Sequence, residues 1–94
     1  MTQVIVRHKV NDFPAWKAVF DDFAATRRAG GEKAFRIWQD DNDPHDLILL
    51  FDWDDRKNAE KFFASSELKS TMQRAGVANQ PTIEYVKEVA KGTL

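Results

Sequence analysis

The chain has 94 residues, a formal net charge of −1 at pH 7, 43% hydrophobic and 31% charged residues, and no cysteine. That length supports a single domain, residues 1–94, around one modest core. The balanced charge lacks the basic excess that drives binding to a phosphate backbone, so no nucleic-acid partner is expected. The missing cysteines exclude disulfides, thiolate catalysis and thiolate metal sites, and suit a reducing, cytoplasmic setting.

The first ten residues, MTQVIVRHKV, carry neither a basic lead nor a long apolar run, which predicts neither a signal peptide nor a membrane anchor. Residues 2–10 are β-branched and half alternating, the pattern of a strand. Val4, Val6, His8 and Val10 share one face, and Ile5, Arg7 and Lys9 the other. Which face looks inward is open, because a one-residue slip exchanges His8 for Arg7. Asp12 then supplies a helix cap and Pro14 a first-turn residue. From Pro14 to Ala29 the period becomes helical, with Trp16, Val19, Phe20, Phe23 and Ala24 on one stripe. Arg27 and Arg28 complement the dipole of the last turn, and Gly30-Gly31 ends the helix.

Residues 32–39 alternate as a second strand, Phe35, Ile37 and Gln39 against Ala34, Arg36 and Trp38. DDNDPHD (40–46) has turn composition, and LILLFDW (47–53) follows as the third strand of a hairpin. Asp54 or Asp55 caps a further helix with Ala59, Phe62 and Phe63 inward. Ser66 caps another piece, which carries Leu68, Met72 and Ala75 to Gly76. VANQP is a loop, and residues 82–89 close the chain as a fourth strand.

Strand, helix, strand, strand, helix, strand is the split βαβ order of a ferredoxin-like α+β sandwich: a four-stranded antiparallel sheet with its first and third strands central and helices on one face. The other face is not polar, since the run from Leu47 to Phe51 is apolar on both sides. Roughly six large side chains would stay in water, on the order of 600 Å², at the top of what monomers expose. Covering them is worth roughly 15 kcal/mol per subunit before association costs. A homodimer packed sheet to sheet is therefore expected.

Three stretches, RHKVNDFPAWKAVF, LILLFDWDD and AEKFFASSELKSTMQRAGV, give the chain its family likeness. It resembles the dimeric α+β barrel superfamily, and within it the small antibiotic-biosynthesis monooxygenase-like proteins, over nearly its whole length. The resemblance implies two sheets closed into a barrel and, in each subunit, a pocket between sheet and helices. It implies cofactor-independent monooxygenase-like, or cyclase- or isomerase-like, chemistry on a hydrophobic aromatic molecule, with no cofactor. In monooxygenase-like members an acidic residue precedes by two the tryptophan that ends the third strand, and a histidine lies in the following helix. Here Phe51 and Phe62 hold those places.

His8 is the candidate general base, able to titrate near neutral pH and accept a phenolic or enolic proton; the alternative is a core histidine bonded within the fold. Arg7 and Arg36 are candidates to stabilise the resulting anion. Their alternative is structural: an ion pair from Arg7 to Asp52 or Glu84, or a bridge across the dimer. Trp38, Trp53 and Tyr85, with Phe51 and Phe62, are the expected lining of a water-excluding pocket for a planar ligand, or else core and dimer seam. DDNDPHD fails as a calcium loop, with His45 and Phe51 where glycine and glutamate are needed, and two isolated histidines make no metal site. The same fold could also serve as a non-catalytic small-molecule-binding or stress-response module, or as a structural dimer without a cavity.

Overall fold

The computed structural model describes residues 1–94. Its elements run β1 (Thr2–Lys9), α1 (Phe13–Asp22), α2 (Ala24–Gly30), β2 (Glu32–Asp40), β3 (Asp43–Trp53), α3 (Arg56–Phe63), α4 (Ser66–Arg74) and β4 (Thr82–Val86). The sheet is antiparallel in the order β2-β3-β1-β4, which places β1 and β3 at its centre.

Register settles the face of every side chain. Val4 lies between Phe51 and Tyr85, Val6 between Leu49 and Ile83, and His8 opposite Leu47. These residues, with Val10 and Trp53, are the sheet's contribution to the core, and Trp16, Phe20, Phe23, Ala59, Phe62, Leu68 and Ala75 are the helices'. The even-numbered face of β1 is therefore the inward one. On the opposite face Ile5 sits between Leu50 and Glu84, Arg7 between Ile48 and Thr82, and Trp38 and Arg36 oppose Ile48 and Leu50.

Four boundaries differ from the sequence reading, each for a local reason. The helix expected over 14–29 breaks at Phe23, which closes α1 with bent backbone (φ −88°, ψ 3°). The Phe20 carbonyl then takes the Phe23 amide at 3.3 Å and the Arg27 guanidinium, an interaction no stripe of apolar residues announces. The turn is two residues, Asp41 and Asn42, not seven. Asp40 and Asp43 bond the amides of Asn42 and His45, so β3 starts within the acidic run, after a register slip at Gln39 and Asp40. Ser65, one before the expected residue, caps α4 through Leu68 N at 3.2 Å. β4 stops at Val86 because that residue pairs with Gln3, close to the end of β1.

Gly31 ends α2 in the left-handed region, φ 119°. Gly30 lies against the ring of Phe62, where an added Cβ would come within 2.8 Å of Cδ1. This closeness lets the Trp53 indole donate to the Gly30 carbonyl at 2.9 Å, which satisfies the polar atom of a fully buried side chain.

Candidate functional site

The expected site residues divide between the two faces of the sheet. His8, Phe51, Trp53, Phe62 and Tyr85 lie on the helix side; Arg7, Arg36 and Trp38 lie on the open side. Within one subunit the two arginines therefore do not share a pocket with His8. Arg7 is fixed by Asp46 at 2.8 Å and reaches Asp40 at 3.5 Å, rather than Asp52 or Glu84. Its guanidinium holds the Asp46 carboxyl below the usual carboxylate range. Arg36 stands 5.9 Å from the centre of the Trp38 ring, and both line a shallow cleft at the β2 edge with Phe13 and Lys17.

Packing on the helix side explains what Phe51 and Phe62 do. Phe51 contacts Phe20, Trp53 and Phe63, and Phe62 contacts Phe23, Trp53 and Phe63, with ring centres 4.9 to 6.3 Å apart. Two phenyl rings in a continuous aromatic cluster leave no acid–imidazole pair where the resemblance puts one. Tyr85 stands at the margin of this cluster, half-buried, with the Arg56 guanidinium 5.0 Å from its ring.

His8 is different. It is 4% exposed, its ring meets Trp16 edge to face at 5.7 Å, and its Nδ1 is buried without a hydrogen-bond partner. Burial lowers its pKa from the ordinary 6.5, with a smaller opposing pull from Asp46, so at neutral pH the imidazole is uncharged. Buried polar atoms are nearly always partnered, so an orphaned ring nitrogen calls for an explanation.

A cleft of about 530 Å³, whose twelve lining residues do not include His8, lies between the end of α3, α4, the loop 77–81 and the start of β4. Phe63, Met72, Val77 and Ile83 provide apolar wall; Lys69, Gln73, Asn79 and Gln80 provide its polar groups. The loop is tied to the β1 segment that carries His8. The Ala78 amide donates to Lys9 O at 2.8 Å, the Lys9 amide donates to Asn79 Oδ1 at 2.7 Å, and Val10 bridges to Val77. The size suits a small organic ligand. Sequence reasoning missed this cleft: VANQP read only as a loop, and nothing local to it indicates that it pairs with Lys9, about seventy residues upstream.

No protein-family model and no curated protein matches the sequence. Solved structures do match its fold. An antibiotic biosynthesis monooxygenase-like protein from Bordetella bronchiseptica superposes with a TM-score of 0.77 at 18% identity, covering 95% of this chain and 97% of its own. One from Caulobacter crescentus gives 0.72 at 19% identity over 95% and 90%. SnoaB, a cofactor-independent oxygenase from Streptomyces nogalater, gives 0.68 at 16% identity over 99% and 95%. The chain thus has the ferredoxin-like α+β fold of the antibiotic biosynthesis monooxygenase-like proteins. No helix is long and apolar enough to cross a membrane.

Proposed function

We propose that this protein is a cytoplasmic, sheet-to-sheet homodimer. It acts without a cofactor on a hydrophobic, phenolic or enolic small molecule held in the cleft between α4, the 77–81 loop and β4. The observation that carries the reading is the neutral, unpartnered imidazole of His8 on β1, next to Lys9, to which the loop of that cleft is hydrogen-bonded. An uncharged imidazole can accept a proton, and a substrate hydroxyl would give Nδ1 the partner it lacks; burial makes the ring a weaker base, so the hydroxyl it deprotonates must be an acidic, phenolic or enolic one. The anion so formed is the electron-rich species that monooxygenase-like chemistry delivers to oxygen, or that cyclase- or isomerase-like chemistry rearranges. Arg7 and Arg36, on the other face, belong in this proposal to the dimer interface rather than to the reacting group.

Support for the dimer comes from the open face. Ile5, Trp38, Ile48, Leu50 and Val86 form its apolar middle, and the Arg7–Asp46 and Lys9–Asp43 pairs flank one end. Trp38 is 44% exposed and the other four are half-buried, an apolar patch that the same face of a second copy would cover.

Oxygen uptake with a panel of phenols and enolisable ketones, for the native protein and His8→Gln, tests the reading. Turnover by the native protein and its loss in the variant is the expected result. Equal inertness of both, with ligand binding retained, favours the second reading, a non-catalytic binding module. The packing of Phe51 and Phe62 where related proteins are expected to keep an acid and a histidine speaks for that second reading.

A further inference from the structure

Twelve residues line the cleft, and among them Lys69 is the only ionisable one. It is exposed and takes part in no ion pair, as is true of nine of the fourteen lysines and arginines of the chain. The neighbouring polar groups are biased the same way. Asn79 spends its oxygen on the Lys9 amide at 2.7 Å, so its Nδ2 remains a donor without a partner in the fold. The Ser65 oxygen already accepts from Leu68 N at 3.2 Å. An apolar floor of Phe63, Met72, Val77 and Ile83 thus meets a rim with an unpaired cation, a free amide donor and no carboxylate, in a chain whose net charge is −1. A neutral hydrophobe would use the floor and leave the rim hydrated. A cationic ligand would meet Lys69 with nothing to offset it.

We propose that the cleft is selective for an amphipathic organic anion, an apolar ring body with one carboxylate or phenolate, and that Lys69 with Asn79 Nδ2 recognises the anionic group. This rests on the cleft being the ligand site and adds the charge of the ligand to that reading. It also names two binding residues outside the core cluster.

The probes are 2-naphthoate and its uncharged amide, 2-naphthamide, which share one ring body. Each is titrated into the full-length protein and followed by two-dimensional amide NMR, with affinities from the shift curves. Naphthoate is expected to bind about three- to tenfold more tightly than the amide, as one solvent-touching charge pair allows. The shifts should concentrate at Met72, Val77 and Ile83, and the preference should shrink as salt rises. Lys69→Met, an exposed change on α4, is expected to abolish the preference for naphthoate over the amide. Equal binding of both probes in the cleft overturns the charge inference alone, as does a preference that survives Lys69→Met. Binding of neither probe, or shifts confined to Ile5, Ile48 and Leu50 on the open face, overturns the cleft as ligand site and this inference with it.

Discussion

His8 owes its chemistry to one register position. One residue earlier, Arg7 occupies the wet face and a salt bridge; at position 8 the side chain enters a core of Val6, Leu47 and Trp16. Its pKa is lowered by burial, so the native state binds a proton more weakly than the unfolded chain does. Its stabilising effect is therefore complete above the ordinary value of 6.5 and is lost as pH falls through that value toward the folded one. A pH series of thermal melts is expected to show a fall in stability below pH 6.5 that is shallower in His8→Gln. Glu32 behaves in the opposite sense. Burial raises its pKa against the pull of Arg27, which bonds it at 2.8 Å while the same guanidinium lies 3.7 Å from the centre of the Phe20 ring. A carboxyl with a raised pKa adds stability below its unfolded value and loses it as pH climbs through the folded one. Arg27→Met strands the carboxylate, and a loss of about 3–5 kcal/mol in denaturant unfolding at pH 7.5 is expected, less at pH 5 where Glu32 protonates more readily. The chemistry of His8 was legible as a residue type in a β-branched run. Its inward direction was not, because Ile5 and Val6 make both faces of that run apolar.

At the scale of elements, periodicity and caps served well. Asp12 and Asp55 accept from Ala15 N and Asn58 N at 3.1 and 2.8 Å, so replacing either by alanine should cost about 1 kcal/mol, read as a shift in denaturation midpoint at constant slope. Gly31→Ala should be worse than a propensity change. The backbone is left-handed there, and a Cβ would lie 2.7 Å from Trp53 Nε1 and press on Asp54. A loss of about 1–3 kcal/mol is expected in the same measurement, together with a change in Trp53 fluorescence. What the pattern did not disclose was the break at Phe23, where no glycine or proline interrupts the stripe and the Phe20 carbonyl is shared by the Phe23 amide and the Arg27 guanidinium of the next helix. Nor did it disclose the early start of β3, because Asp43–Asp46 has turn composition and is drawn into the ladder by Asp40 of β2 and Lys9 of β1.

For the whole molecule, the sequence conveyed the fold because the count of layers left no other arrangement: helices for one side of four strands and an apolar run facing both ways. The candidate cleft stayed hidden because its walls come from α3, α4, a loop and β4, brought together only by long-range pairing. If the open face is the dimer interface, Leu50→Glu puts an unpaired carboxylate at its middle. Sedimentation velocity should then give a dimer for the native chain and a monomer for the variant, with circular dichroism unchanged.

β1 lies between β3 and β4, and Thr2 Oγ1 donates to Val86 O across 84 positions of chain. β1 thus acquires its second neighbour only after β4, the last of the four strands in chain order, has been made. At translation rates of about 5–20 residues per second, one edge of β1 stays open for several seconds after the strand is made. A nascent chain stalled before residue 82 should be sticky and protease-sensitive, and the same chain extended until β4 has emerged should be compact, so that closure of the sheet waits on β4.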